Sequence, residues 1–406
     1  MGAMRRAGLP TTVVTVARSF VAAALFGYFF DLLHQTHNGL VNAAGRPFGD
    51  DWVNYWSGGY LALHGQAETV YNLGAFHAFQ QTIVGSPLNG YIYSYPPVAL
   101  LLTAPFALIP YAPGLFVWLS SSWYAFYRAL KLAMPQGGAL LLALATPAVL
   151  VNAVGGQNGT WTAALLGGGL ALLERRPYLA GALFGMMVYK PHLALLVPVA
   201  LAAGRQWRAF AAAALTAGLL LAASLLLFGP EIWAHYLRNL EALRQFILEE
   251  DVALRMVSVF VAMRSLGASV TTAYWVQGLF AVGACLAVFA VWFKNVPPAV
   301  RNAVLLLATC FTAPYLQDYD LVFATMAVAW LWQQPVRTDG EERALQISCG
   351  LFLLLPLVAA ALRHLTGIAF GPLFVLPLFV VALRMSFARQ DAALAGPQRQ
   401  LSSAQS

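Results

Sequence analysis

The sequence predicts an all-α polytopic integral membrane protein, and three observations carry that prediction. Hydrophobic residues make up 60% of the 406-residue chain and charged residues only 10%, well below the roughly 25% of soluble domains. Apolar runs of helix length recur from one end to the other. The alternation of period two that is typical of an outer-membrane β-barrel is absent. We therefore expect one membrane domain over residues 1–406.

The first apolar run predicts a helix over residues 13–33 that is retained as an anchor. Arg5 and Arg6 precede it, and no small-residue cleavage site follows closely, so the run does not read as a removed signal peptide. Residues 34–95 are polar and rich in aromatic residues, which predicts a long first loop. Aromatic residues at helical spacing in this loop favour an interfacial helix and a membrane belt. They are Trp52, Tyr55, Trp56 and Tyr60.

Later apolar runs predict the remaining spans. They lie near residues 113–131, 138–154, 158–174, 208–228, 271–293, 299–316, 319–335, 345–363 and 367–385. Residues 178–189 and 191–204 are each shorter than the roughly 20 residues of a span, and Lys190-Pro191-His192 joins them. They form either a tilted hairpin or a broken segment. Altogether we expect about 11 to 13 spans.

The basic residues orient the chain with both termini in the cytoplasm. When 96–110 is treated as interfacial or re-entrant, 16 of the 23 Lys and Arg residues fall on the cytoplasmic side. Counting 96–110 as a full span would instead place Lys131, Arg175 and Arg176 outside. Residues 387–406 then form a flexible cytoplasmic tail. Because the cations are spread along the ends of apolar runs, a nucleic-acid partner is not expected.

This topology places six polar segments on the outer face, which predicts a shared site there. They are the loop with Asp50-Asp51, the segment 93–97, the turn 155–159, the break at 190–192, the outer segment 229–266, and residues 315–320. Carboxylates are costly near hydrocarbon, so the acidic pair is either a functional site or a pair of solvated loop acids.

Other polar residues also have two interpretations. Lys190 between two apolar half-segments faces either a wet cavity and an anion or snorkels to the surface. Turn chemistry explains the glycines around Gln157 and Asn158, but Gln157 is not a turn former, which favours a ligand contact. Capping of the following helix explains at least one of Asp318 and Asp320.

Taken in order, the motifs resemble the signature of glycosyltransferase family 87 of the GT-C superfamily. The similarity extends over roughly residues 45 to 330. It rests on Asp51-x-x-x-Tyr55-Trp56-Ser57-Gly58-Gly59, Gly65-(x)5-Tyr71, Tyr95-Pro96-Pro97, Gly156-Gln157-Asn158-Gly159, Leu179-Ala180-Gly181, Tyr189-Lys190-Pro191-His192 and Pro314-Tyr315-(x)2-Asp318-Tyr319-Asp320-Leu321. The resemblance implies a GT-C-type helical bundle that transfers a sugar with inversion.

The resemblance also implies roles for particular residues. Asp51 is the expected catalytic base, and Asp50 is an extra neighbour that raises its pKa by like-charge repulsion. The donor phosphate is assigned to Lys190, assisted by His192, Arg255 or Arg264. Substrate contacts are assigned to Tyr95, Gln157, Asn158, Tyr315, Asp318 and Asp320. Because the leaving group is a lipid monophosphate, no metal or other cofactor is required.

The implied partners are a polyprenyl-phosphate sugar carrying a hexose or pentose, with mannose or arabinofuranose favoured, and a hydroxyl acceptor on the extracytoplasmic face of the cytoplasmic membrane. The acceptor is a glycolipid, a polysaccharide or another hydroxyl compound. Two alternatives stay open: a secondary transporter, which should show ionisable groups at the bilayer midplane and two related halves, and another enzyme that processes lipid-linked glycans.

Overall fold

A computed structural model describes residues 11–37, 39–247, 254–294, 296–336 and 338–403. Arg5 and Arg6 lie outside these ranges. The flexible tail predicted at 387–406 stays a prediction: the backbone is helical through Ser403, and residues 404–406 lie outside the described part.

Within the described ranges the backbone is helical and contains no strand, only isolated bridges such as Met256 with Gln317. The helices are α1 (Thr11–Gln35), α2 (Trp52–Leu63), α3 (Leu73–Val84), α4 (Val98–Ala107), α5 (Tyr111–Ala133), α6 (Ala139–Ala145), α7 (Pro147–Val154), α8 (Gly159–Leu172), α9 (Pro177–Met186), α10 (Leu196–Ala203), α11 (Trp207–Phe228), α12 (Glu231–Ile247), α13 (Val259–Ser265), α14 (Val270–Phe293), α15 (Pro298–Thr309), α16 (Val322–Trp332), α17 (Asp339–Thr366) and α18 (Gly371–Ser403). This confirms the predicted all-α class.

Four described helices are long and apolar enough to cross a membrane alone, namely α1, α11, α14 and α17. A fifth span is possible where α4 and α5 meet at a bend of 117°, which is the geometry of a broken span or a re-entrant loop. Shorter apolar helices cover 177–189, 191–203, 298–309 and 371–387. The protein is therefore a polytopic membrane protein, while the predicted total of about 11 to 13 spans stays a prediction.

Short helices form the centre of the bundle. In α16 every side chain from Val322 to Leu331 is buried, and α8 and α15 are buried along most of their length. Side chains buried on all sides of a helix show that other helices, and not lipid, surround it. In contrast, α11 exposes large apolar side chains such as Leu215, Leu219 and Leu226, as a helix facing lipid does.

The apolar run at 138–154 folds as two helices, α6 and α7, and its crossing of the membrane stays a prediction. The break falls at Thr146 and Pro147, where Thr146 is extended and Pro147 starts α7. Proline lacks a donor and disfavours the helical conformation of the residue before it. α6 and α7 are consequently short, and α7 ends at the turn 155–159.

The helix predicted after Asp51 is confirmed as α2, but its expected aromatic belt is wrong. Trp52, Tyr55 and Trp56 are buried in the core. The indoles of Trp52 and Trp56 donate to the carbonyls of Tyr111 (2.9 Å) and Ile109 (2.8 Å), both at the α4–α5 bend. α4 covers the face of α2 that would otherwise meet the lipid interface.

Candidate active site

An open cavity of about 560 Å3 lies where the six predicted polar segments meet. Every one of these segments contributes to its wall, so the expected convergence is observed. The contributing residues include Asp51, Ser94, Tyr95, Gln157, Lys190, His192, Tyr236, Arg244, Arg255, Tyr315, Gln317, Tyr319 and Asp320. A cavity with carboxylate, cationic and aromatic groups facing one another is the expected form of a polar ligand site.

Asp51 lies at the start of α2 and faces the cavity. Its backbone N–H donates to the Gly155 carbonyl (3.2 Å), and its carboxylate makes no capping hydrogen bond to the helix. Instead one oxygen accepts from Asn54 (3.1 Å) and the other from the Gln157 side chain. Both amides donate to the charged carboxylate and thereby fix its orientation.

Asp50 has a different position from its neighbour. Its backbone is left-handed (φ 53°), a conformation that Asp tolerates better than most residues. Its carboxylate accepts from Arg46 Nε (3.1 Å) and from the Tyr91 hydroxyl (2.7 Å). Both acids thus have two hydrogen-bonded carboxylate oxygens, but Asp51 lines the cavity and Asp50 does not.

The environment of Asp51 suits a general base. Burial, followed by the charge of Asp50, raises the pKa of Asp51 to about 7, although Arg255, Asn54 and Gln157 oppose the change. The like-charge effect of Asp50 expected from the sequence is therefore present. A carboxyl group with a pKa near neutrality accepts a proton far more readily than an ordinary aspartate.

Two glycines let the turn 155–159 reach the site. Gly156 has φ 58°, and a Cβ on it would lie 2.1 Å from the Gly49 carbonyl oxygen. A Cβ on Gly159 would lie 2.3 Å from the Tyr319 carbonyl oxygen. Only glycine permits both approaches. The turn is thereby held between the Asp51 segment and the segment 317–320, which places Gln157 against Asp51.

Lys190 lies at the break between α9 and α10 and is already paired. Its Nζ donates to Asp320 (2.6 Å) and Asn158 (3.0 Å), and it lies 4.8 Å from the centre of the Tyr319 ring. The side chains of Lys190 and Asp320 are 3% and 1% exposed. Asp320 also accepts from the Gln317 backbone and forms a capping box, so the capping role expected for one of the two acids is confirmed.

Arg255 is the more accessible cation. It pairs with Asp318 through Nε (3.2 Å) and Nη2 (3.2 Å), and 35% of its side chain is exposed against 5% for Asp318. Two backbone hydrogen bonds hold it there, from Asp318 N to the Arg255 carbonyl (3.0 Å) and from Val257 N to the Leu316 carbonyl (2.9 Å). The guanidinium has donors beyond those used by Asp318 and faces the cavity.

Tyrosines form much of the wall between these charged groups. The Tyr55 hydroxyl is 2.8 Å from that of Tyr95 and donates to Gln157 Oε1 (2.9 Å), and the Tyr95 ring stacks on Tyr189. Behind this wall lies a second cavity of about 140 Å3, lined by apolar residues of α4, α5 and α8 together with Asn158. The three tyrosines face both cavities.

A family comparison supports a transferase assignment. A model of glycosyltransferase family 87 matches residues 93–316, which is more than half of the 406 residues. The chain belongs to glycosyltransferase family 87. No curated protein and no solved structure matches the chain. As a family 87 protein with several membrane-crossing helices, it is a membrane glycosyltransferase.

The family 87 match begins after Asp51 and ends before Asp318. It covers Tyr95, Gln157, Asn158, Lys190, His192, Arg255, Arg264 and Tyr315. The arrangement around Asp51 and around residues 317–320 is therefore known from the geometry of this chain. That geometry joins both outlying segments to the matched turn at Gly156 and Gly159.

Three predicted residues of the family 87 site lie away from the main cavity. Arg264 donates to the carbonyl of Ala268 (2.7 Å) at the end of α13 and does not reach the wall. Asn158 faces the second cavity, and Asp318 lies behind Arg255. The remaining ones line the main cavity, except Asp50, which lies beside Asp51.

Sequence reasoning missed several residues of the wall. Asn54 and Tyr91 belong to the first loop, and Tyr236 and Arg244 belong to α12. The signal for α12 was present: its residues are strongly amphipathic, and 236, 240 and 244 follow one another at four-residue steps. The mixed charges of this helix are typical of a solvated face, and in the structure residues 236, 240 and 244 line the cavity. In the described ranges no group of three His, Cys, Asp or Glu residues is placed to hold a metal ion.

Proposed function

We propose that this family 87 protein transfers a hexose or pentose, with mannose or arabinofuranose favoured, from a polyprenyl-phosphate sugar to an acceptor hydroxyl. The reaction takes place on the extracytoplasmic face of the cytoplasmic membrane and inverts the anomeric centre. One observation carries the proposal: the carboxylate of Asp51, with its raised pKa, faces a cavity that also presents the half-exposed guanidinium of Arg255.

Asp51 acts as the general base. The acceptor oxygen attacks the anomeric carbon while its proton passes to Asp51, and the bond from that carbon to the phosphate oxygen breaks. Asn54 and Gln157 hold the carboxylate in place, since each donates to one of its oxygens. Such preorganised donors cost no reorientation when the reaction occurs.

Arg255 is assigned to the departing phosphate. Its planar guanidinium offers paired donors to phosphate oxygens, and Asp318 fixes its direction. Arg244 on α12 adds a second cation at the cavity wall, and 40% of its side chain is exposed. Lys190 and His192 also line the cavity, but the side chains of Lys190 and its partner Asp320 are only 3% and 1% exposed. We therefore place the phosphate on Arg255 first and on Lys190 second.

The remaining residues divide between the sugar and the support of the charged groups. Tyr95, Gln157 and Tyr315 line the cavity and present groups suited to a sugar ring and its hydroxyls. Asp318, Asp320 and Asn158 are hydrogen-bonded to Arg255 or Lys190, so we assign them to holding those cations. The second, apolar cavity adjoins Tyr55 and Tyr95 and suits the first isoprene units of the donor.

The decisive experiment incubates the purified full-length protein with a panel of polyprenyl-phosphate sugars and scores loss of sugar from the lipid in the presence of acceptor lipids and glycans. The wild type should consume at least one donor. Asp51→Asn should lower kcat by about 10³-fold, because a general base contributes roughly 10²–10⁴-fold, and should still bind the donor.

Glu68→Gln is the matched carboxyl-to-amide control, since Glu68 is an exposed residue that faces His235 outside the cavity. It should retain wild-type transfer. Retention of transfer by Asp51→Asn would remove the base assignment. Uptake of a solute by reconstituted vesicles, with no donor consumed, would instead favour a transporter.

A further inference from the structure

Asp50 is held by Arg46, which forms hydrogen bonds with three parts of the fold. Arg46 donates from Nε to Asp50 (3.1 Å), from Nη1 to Asp31 (2.8 Å) and from Nη2 to the carbonyl of Val154 (3.1 Å). Asp31 lies in the last turns of α1, and Val154 ends α7. A single planar group thus joins α1, the first loop and the residue before the turn 155–159.

Hydrogen bonds of the surrounding backbone fix the position of Arg46. Its backbone N–H donates to the Asn42 side chain (2.9 Å), which also accepts from Ala44 N (3.0 Å), and Asn42 N donates to the Arg46 carbonyl (3.0 Å). A second contact runs parallel to the arginine: Gln35 donates to Asp31 (2.9 Å) and accepts from Gly49 N (2.8 Å). The backbone immediately before Asp51 is therefore fixed to the end of α1 through Arg46 and Gln35.

We propose that Arg46 is a positioning residue for the transfer reaction. It draws Asp50 away from the cavity and fastens the left-handed turn at Asp50 to α1 and α7, so that Asp51 is the acid presented to the substrate. The inference rests on the proposed function, because it takes Asp51 as the base. Arg46 does not line the cavity and acts only through its two neighbours.

The charges around Asp51 predict in which direction the removal of Arg46 changes the pKa of Asp51. Titratable and charged groups from several elements face Asp51. They are Asp50 and Tyr91 of the first loop, Tyr55 of α2, Tyr111 of α5, Lys190 of the α9–α10 break, Arg255 before α13 and Tyr319 before α16. Arg46 is the cation paired with Asp50 and Asp31. Its removal leaves the negative charge of Asp50 without its cationic partner beside Asp51, which makes Asp51 harder to ionise.

The test measures the protonation of Asp51 directly. A carbodiimide labels protonated carboxyl groups, and mass spectrometry of the full-length protein in detergent reports labelling of Asp51 as a function of pH, with Asp51→Asn as the assignment control. We expect the labelling midpoint of Arg46→Ala to lie at higher pH than that of the wild type, and that of Asp50→Asn at lower pH. Arg128→Ala, which removes an exposed arginine of α5, should leave it unchanged.

Kinetics supply the second measurement. Arg46→Ala should lower kcat about 10²-fold, as a displacement of a catalytic group by roughly 1 Å does, and should change the KM of the donor by less than about threefold. Arg46→Lys, which keeps the charge but reaches fewer acceptors, should recover at least a tenth of wild-type kcat. If Arg46→Ala proves unfolded by thermal melting, Arg46→Lys alone decides, and it should show a reduced kcat with a midpoint close to that of the wild type.

An unchanged midpoint together with a kcat within twofold of the wild type in Arg46→Ala would overturn the proposal, as would wild-type kinetics in Arg46→Lys if only that variant folds. A failure of the proposed function looks different. In that case Asp51→Asn retains transfer, or the wild type consumes no donor, while the labelling midpoints still show whether Arg46 controls the protonation of Asp51.

Discussion

Two ion pairs connect the segment 317–320 to the rest of the site, and they differ in their access to water. Lys190 and Asp320 are 3% and 1% exposed, and the lysine has further contacts with Asn158 and the ring of Tyr319. Arg255 and Asp318 are 35% and 5% exposed, and the guanidinium faces the open cavity. Asp318 and Asp320, separated by one residue, thus hold one cation that is accessible to water and one that is buried.

The difference shows that the same type of contact, a cation paired with an aspartate, does not define a single role. A fully buried pair has already exchanged water for its partner, so a further anion gains little from it and removal of one member leaves an uncompensated charge. A half-exposed arginine keeps donors free for a ligand. We therefore expect the closed pair, Lys190 with Asp320, to govern folding and the open pair, Arg255 with Asp318, to govern catalysis.

The largest expected effect comes from breaking the closed pair. Lys190→Met should destabilise the protein by about 3–5 kcal/mol, because the buried Asp320 carboxyl group then loses its cationic partner. Thermal unfolding in detergent measures the change. Lys190→Met combined with Asp320→Asn should recover most of the loss, since Asn still accepts the capping bond from Gln317. No recovery in the double variant would contradict the assignment of the pair to folding.

Breaking the open pair should act on the reaction. Arg255→Ala should lower kcat/KM for the donor by about 10²-fold, as the loss of one donor to a developing charge does. It should cost less stability than Lys190→Met, because water reaches the pair. Arg255→Lys should retain part of the activity, since it keeps the charge and loses the paired donors. Arg238→Ala, which removes an exposed arginine of α12, serves as the control and should match the wild type. Equal losses of kcat/KM in Arg255→Ala and Arg238→Ala would contradict a specific contact between Arg255 and the phosphate.

The smallest expected effect is a change in the pH profile. Asp51 acts when ionised, so kcat should fall as the pH drops below about 7, the pKa of this carboxyl group. The charge of Arg255 lowers that pKa, and Arg255→Gln should therefore move the acid limb to higher pH. The residual activity of the variant, measured between pH 5 and pH 9 with the donor at saturation, tests the sign. A limb displaced to lower pH would be inconsistent with Arg255 facing Asp51.

Sequence patterns located most of the helices. Apolar runs predicted α1, α5, α11 and α14 to within about two residues, because each is long and bounded by polar residues. Packing decided the rest. The pattern of α2 is compatible with an interfacial helix, and only the return of α4 over it makes Trp52 and Trp56 core residues.

Some residues of the candidate site could likewise be predicted from the sequence, whereas others depend on packing. Asp51, Gln157 and Lys190 stood out in the sequence because a charged or amide group is unusual beside apolar runs. Arg244 did not stand out, since its contact with the cavity depends on which face of α12 is turned inward. Nor could Arg264 be separated from Arg255 before the fold placed one on the wall and the other at the end of α13.

The amino-acid sequence by itself determined that this protein is a helical membrane protein of glycosyltransferase family 87, because hydrophobic runs and ordered motifs are local properties of a chain. It also named the segments that meet at the cavity. Only the tertiary structure decided which acid faces that cavity and which cation remains accessible in it. Asp50 and Asp51 are adjacent and identical in chemistry. The left-handed turn at Asp50 and the three contacts of Arg46, made with residues up to 108 positions away, separate their roles.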